Sequence, residues 1–177
     1  YKATAFDGDV STWHVTQVTN MRHLFGEARR FNQDLSNWDV SNVQRMDGMF
    51  RKASVFNGDI SSWDVGKVYD MSEMFNDAAA FAQNLSDCQV AKVERMTEMC
   101  HGAKVFNSDM SSWAVGGTER MKKMFAGANA FDQDLCQWGP LLKMTRIEDI
   151  FEFTSCAFEA DPDYRKEVPG PFCHICY

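Results

Sequence analysis

Bulky residues stand in columns 25 positions apart along most of this chain, and that period constrains the fold more than any local propensity. Phe6, Phe31, Phe56, Phe81, Phe106 and Phe131 make one column. Trp13, Trp38, Trp63, Trp113 and Trp138 make a second, with Cys88 in the missing place. Met21, Met46, Met71, Met96 and Met121 make a third, and Ala28, Ala53, Ala78, Ala103 and Ala128 recur near the end of each unit. A fixed period in this range marks repeats that bury their apolar faces only by stacking on neighbours.

Two shorter periods coexist inside the unit 31–55. Trp38 and Val40 are two apart, which aims both side chains to one face of an extended segment. Val43, Met46, Met49, Phe50 and Ala53 then follow at the spacing of a helical stripe. Ser41, with Gln44 three residues on, reads as a capping box, and Thr16 as the cap of an earlier unit. Each unit is therefore predicted to be one short parallel strand followed by a helix of two to three turns. Strands stack about 4.8 Å apart and helices need about 8–10 Å, so such units would curve, strands inside and helices outside. The expected fold class is α/β, a leucine-rich-repeat-like solenoid bent into an arc.

Residues 1–139 are expected to be the tandem repeats, and 140–177 a last degenerate helix and a C-terminal cap. Gly139-Pro140 interrupts the pattern. Ile147, Ile150 and Phe151 resume the stripe one residue late, and Pro162, Pro169 and Pro171 mark a segment outside it. A terminal layer needs an atypical cover. Residues 1–5 offer none, so Phe6, Trp13 and Phe25 are expected at a bare edge, covered by preceding sequence or by another chain.

The segments Trp38-Asp39-Val40-Ser41-Asn42-Val43 and Met46-x-x-Met49-Phe50, preceded by Phe31-Asn32-Gln33-Asp34-Leu35-Ser36, resemble the BspA-like leucine-rich-repeat family, which includes mycoplasma-type surface lipoprotein repeats. The resemblance covers roughly residues 6–139. It implies a non-enzymatic array, often secreted or on a cell surface, associated with adhesion and protein contact, and it supplies no catalytic residues. Cys88, Cys100 and Gly139 depart from the pattern.

Six cysteines are present. Cys88 and Cys100 fall in inward columns of one unit, as apolar fillers or, less favoured, as a bridge within that unit. Cys173-His174-Ile175-Cys176 is a C-x-x-C pair. Structural zinc commonly takes two such pairs, and a second pair is absent, although Cys156 and His174 could complete a set. A disulfide pinning the tail is the preferred reading, with Cys136 and Cys156 as partners of Cys173 and Cys176. Oxidising, extracellular surroundings would suit it.

The column Asp9, Asp34, Asp59, Asn84, Asp109, Asp134 invites calcium, but a turn-forming side chain explains both residue types and is preferred. The methionine stripe reads as core rather than as soft-metal ligands. His14, His23, His101 and His174 show no recurring catalytic spacing, and a nucleophile has no need of six copies. The chain is expected to be no enzyme and to need no cofactor. Asn37, Asp39, Ser62, Asp64, Asp87 and Gln89 are the candidate contact residues, on the concave strand face, for a protein partner, self-association or, less favoured, a glycan. Net charge is -7, against a nucleic-acid surface, and no apolar run reaches the roughly 20 residues of a membrane span.

Overall fold

The computed structural model describes residues 3–142, 145–163 and 170–176. Part of the expected cap, Pro169 included, lies outside them. Within them the α/β leucine-rich-repeat-like solenoid does not form. The helical elements are two short 3-10 turns, Val115–Gly117 and Cys136–Leu141. Helix and strand each account for about 5%, and among the described residues there is no sheet. Turns and loops make up the rest of the described residues. Without a strand layer and a helix layer of unequal spacing, the units have no such cause to curve.

The helix fails because its backbone groups find other partners. Met46, Gly48, Phe50 and Lys52 donate their N–H groups to the carbonyls of Asp70, Ser72, Met74 and Asn76 in the next unit. The alternate residues close local turns instead: Met49 to Met46, Arg51 to Gly48 and Ala53 to Phe50. An α-helix requires consecutive i→i−4 bonds, and this alternation excludes them. Two left-handed residues four apart fix the pattern in each unit. His23 and Glu27, Gly48 and Lys52, Glu73 and Asp77 have φ between 52° and 64°. That conformation is foreign to a right-handed helix.

The strand fails for a related reason. Trp38 donates its N–H to Leu35 and Val43 to Val40, so the segment runs from turn to turn. Pairing shrinks to one bridge per unit, in the column Asn20, Arg45, Asp70, Arg95, Arg120, Arg146. The last step is 26 residues instead of 25, which matches the one-residue displacement at Gly139-Pro140. Arg45, Asp70, Arg95 and Arg120 thus belong to the column through which units pair.

The apolar columns do form the core. Phe31, Phe56, Phe81, Phe106 and Phe131 are fully buried, as are Met46, Met96, Met121 and Ala53 to Ala128 of the small column. Phe31, Phe56, Phe81, Phe106 and Phe131 stack in series, with centroids 5.8–6.2 Å apart and planes within 17° of parallel. Phe25, Phe50, Phe75 and Phe125 lie 3.8–4.0 Å from Phe31, Phe56, Phe81 and Phe131, the rings that open the units after theirs. Each such pair contributes about 0.5–1.5 kcal/mol beyond its buried area. The indole column adds a polar bond. Trp38, Trp63, Trp113 and Trp138 donate Nε1–H to the carbonyls of Val10, Leu35, Leu85 and Met110, each 28 residues back. A buried carbonyl that already accepts a turn bond thereby uses its second lone pair.

Candidate functional site

The six residues expected on a concave strand face are all exposed, but no strand carries them. They sit in turns and several are spent there. Asp39 accepts the N–H of Ser41, and Asp64 that of Gly66. The Ser62 hydroxyl donates to the Ser36 carbonyl, and the Gln89 amide to the carbonyl of Asp87. The hydrogen bonds of Ser41 also hold the Asp39 carboxyl below its ordinary pKa.

Only part of the row meets the other candidate region. Asn37 and Asp39 line a hollow together with Trp13, His14 and Thr12. Trp13 is 45% exposed, and Leu24 on its other side 41%. Phe6 is half-buried. Phe25, expected at the bare edge, is not there: it is 2% exposed, under the rings of Phe6 and Trp13 at 6.2 and 6.4 Å. Ser62, Asp64, Asp87 and Gln89 lie apart from this hollow. An exposed indole next to an amide and a carboxylate is the sort of amphipathic anchor that protein contacts use.

The aspartate column behaves as turn residues do. Asp9, Asp34, Asp59, Asn84, Asp109 and Asp134 each accept the N–H two residues on. One oxygen of each is thereby committed to the backbone, in the Asx turn that serves aspartate and asparagine alike.

Four cysteines close the C-terminal end. Cys136 is bonded to Cys176 and Cys156 to Cys173. The sequence pointed to these partners and left their pairing open. Loops of 40 and 17 residues are closed, each worth about 3–4 kcal/mol on loop entropy. The tail also docks through its backbone: Leu135 donates to the Phe172 carbonyl, and Phe158 to that of Cys173. Asp161 accepts the N–H groups of Asp149 and Ile150, and the first of these is the counterpart of donors that elsewhere reach the next unit, such as Lys123 to Glu148. Beside the disulfides, His174 Nε2 lies 3.0 Å from Asp132 Oδ1.

A family model described as "Mycoplasma protein of unknown function, DUF285" matches residues 1–86 and again residues 59–163. The chain belongs to this family. The two matches overlap across one unit, as tandem units would allow. No curated protein and no solved structure matches the chain. Membership fits the mycoplasma-type repeats that the Trp-Asp-Val and Met-x-x-Met-Phe segments resemble.

Cys88 and Cys100 are free thiols, so no bridge joins them. Cys100 is buried and Cys88 half-buried. Burial pushes the Cys88 thiol up to about 11, with Asp87 adding to the shift, and it raises that of Cys100 further. Both stay protonated at neutral pH and are poor nucleophiles. Beside Cys88, where the other units carry an indole, Trp63, Phe75, Leu85, Met99 and Trp113 line an apolar cavity of about 20 Å³.

A second polar cluster escaped the sequence reading. Asp47 and Asp70 are buried carboxylates between the arginines of successive units. Arg22 reaches Asp47 at 2.7 Å, Arg45 reaches Asp47 at 2.9 Å and Asp70 at 3.6 Å, and Arg95 reaches Asp70 at 3.5 Å. Acidic and basic residues alternate within and between neighbouring columns here. The signal could be seen only by laying one unit over the next.

Proposed function

We propose that the chain is a non-enzymatic scaffold that makes protein contacts or mediates adhesion, at a cell surface or outside the cell. The observation that carries this reading is the hollow where the exposed ring of Trp13 stands beside Asn37 and Asp39. An aromatic anchor flanked by polar groups supplies apolar area and hydrogen bonds in one place. The two disulfides favour oxidising surroundings, which is compatible with an extracellular location. Among the described residues no helix is long and apolar enough to cross a membrane. Kinship with the BspA-like surface repeats, proposed on the shared segments, points the same way. It does not extend to a leucine-rich-repeat fold.

Beads coated with the chain test this reading on extracellular-matrix proteins and on cell surfaces. Wild-type beads should adhere to at least one such surface, and a Trp13→Ser, Asn37→Ala chain should adhere several-fold less. Equal adhesion of the two, or none by either, sinks the proposal.

The exposure of Trp13 favours a second reading, a structural subunit that docks through the layer of Phe6 and Trp13. Sedimentation separates the two. Concentration-dependent assembly abolished by Phe6→Asp with Trp13→Ser supports docking, whereas a monomer at all concentrations removes it.

A further inference from the structure

The tail holds more donor atoms than two disulfides need. We propose that, once its disulfides are reduced, the chain binds one zinc ion through Asp132, Cys156, Cys173 and His174. The ligand atoms of Asp132, Cys173 and His174 all lie within 4.8 Å of one another. His174 Nε2 is 3.0 Å from Asp132 Oδ1, and Cys173 Sγ is 3.7 Å from that same oxygen. Cys156 Sγ is covalently attached to Cys173 Sγ, so reduction places a fourth donor at the same point.

The set suits the ion. Zinc takes four ligands in a tetrahedron, with bonds of about 2.3 Å to sulfur and about 2.0–2.2 Å to nitrogen or oxygen. The edges of such a tetrahedron are about 3.3–3.8 Å, from those bond lengths. The oxygen–nitrogen and oxygen–sulfur separations already stand near these edges. The two sulfurs must part, and breaking their bond allows it. Two thiolates select zinc over magnesium or calcium, which prefer oxygen.

The backbone is arranged for convergence. In an extended chain Cys173 and His174 would point to opposite sides. Cys173 instead has φ 66°, a left-handed conformation that costs a non-glycine residue stability, and both side chains reach the Asp132 carboxylate. Asp132 is itself held by its N–H bond to Asn107 Oδ1. Backbone bonds of Leu135 to Phe172 and of Phe158 to Cys173 hold the tail beside the disulfides, and the bound ion would replace the Cys156–Cys173 link between the same two segments. The side chains of His174 and Asp132 are 38% and 47% exposed, which leaves the ion a way in.

The chemistry balances with a tertiary phosphine as reductant. The phosphine takes oxygen from water to become its oxide, and each disulfide gains two hydrogens to become two thiols. Zinc then binds both sulfurs of Cys156 and Cys173 as thiolates, and their two protons pass to solvent. The proposal is independent of the surface reading. A secreted chain would meet this site before oxidation, and a chain kept reduced would keep it.

The test uses the full chain, phosphine-reduced under anaerobic conditions, titrated with cobalt(II) as the spectroscopic stand-in for zinc and then with zinc in competition. One equivalent should bind and give the intense visible absorption of tetrahedral cobalt thiolate. His174→Ala and Asp132→Ala should each weaken binding by about tenfold or more, in the range of lost metal-site contacts. Cys136→Ser with Cys176→Ser should leave it unchanged. Absence of stoichiometric binding overturns the proposal. So does binding indifferent to His174→Ala, or binding lost with Cys136 and Cys176, since either describes an all-cysteine set. An unchanged melting temperature of oxidised His174→Ala shows that its loss of metal is not a loss of fold.

Discussion

The units 31–55 and 81–105 have the same backbone and differ in what fills it. In the first, Trp38 and Phe50 complete the indole and benzyl columns. In the second, Cys88 and Cys100 stand in those places. Yet Cys100 donates its N–H to Met124 at 2.8 Å as Phe50 does to Met74 at 2.9 Å, and Cys88 closes the turn to Leu85 as Trp38 does to Leu35. The bonds that join unit to unit therefore survive the loss of two rings. The turns specify the frame, and the rings add stability to a frame that already exists. A family of imperfect repeats can then lose a ring in one unit without losing register.

The largest effect should come from removing a ring where its neighbours remain. Phe56 stacks on Phe31, Phe50 and Phe81 and is fully buried. Phe56→Ala should cost about 3–5 kcal/mol in denaturant unfolding, the range for a buried phenylalanine. Cys100→Ala, which deletes one sulfur from the other unit, should cost about 1 kcal/mol at the buried-methylene scale. Comparable losses at the two positions would break the distinction between frame and filling.

The second test attacks the frame. Gly48 has φ 64°, and a Cβ there would stand 2.0 Å from His23 Nδ1 in the preceding unit. Gly127 has φ 71°, but its Cβ would meet nothing nearer than 3.5 Å. Gly127→Ala should cost about 1 kcal/mol for the left-handed conformation. Gly48→Ala should cost more, about 1–3 kcal/mol, because His23 must also move. Thermal melts of the two variants rank them, and a milder Gly48→Ala would show that His23 turns away freely.

Much of this core was legible in the sequence, and its secondary structure was not. Phe31, Met46 and Ala53 are buried in either reading, because a column that recurs every 25 residues faces its own copies however the chain turns. The slip at Gly139-Pro140 and the cysteines of the tail could be read in the same way. Helix and turn could not be separated, since Met46, Met49, Phe50 and Ala53 have spacings that suit both. What decides is whether Gly48 N–H bonds within its unit or to Ser72 in the next, and no single unit records that choice. Gly48, Gly102 and Gly127 were the available hint. They share columns with His23 and Asp77, residues that carry no comparable signal of a left-handed turn. The hollow at Trp13 was half legible: the sequence marks Trp13 as an edge residue and Asn37 as a contact residue, but does not bring the two together.

Filling the irregular unit should have a smaller effect, of opposite sign at its two sites. Cys88 is half-buried beside the cavity of about 20 Å³, and the Ile60 carbonyl, 28 residues back, is the counterpart of those that accept the other indoles. Cys88→Trp should stabilise the chain by about 1 kcal/mol, as burial of an aromatic ring outweighs local adjustment. Cys100 is wholly buried and is not among the residues that line this cavity. Cys100→Phe should therefore destabilise by about 1–3 kcal/mol through overpacking. Melting temperatures moving in the same direction would mean that the two vacancies had closed to the same degree.

The smallest effect separates the two units by charge. Asp59 accepts the Ser61 N–H, and Asn84 accepts that of Ser86 in the same turn. The backbone bond of Ser61, helped by its side chain, holds the Asp59 carboxyl below its ordinary value of 3.8. A carboxyl lowered in the folded state contributes stability above its unfolded value, and that contribution is lost as pH falls through the folded one. Carboxyl carbon NMR of the folded chain should give Asp59 a midpoint below 3.8. Asp59→Asn should keep the turn, as the unit with Asn84 does, while removing one step from the acid limb of the stability curve. If the Asp59 midpoint fell at the ordinary value, or if Asp59→Asn opened the turn and exposed the Ser61 N–H to rapid exchange, the equivalence of the two units at this position would be lost.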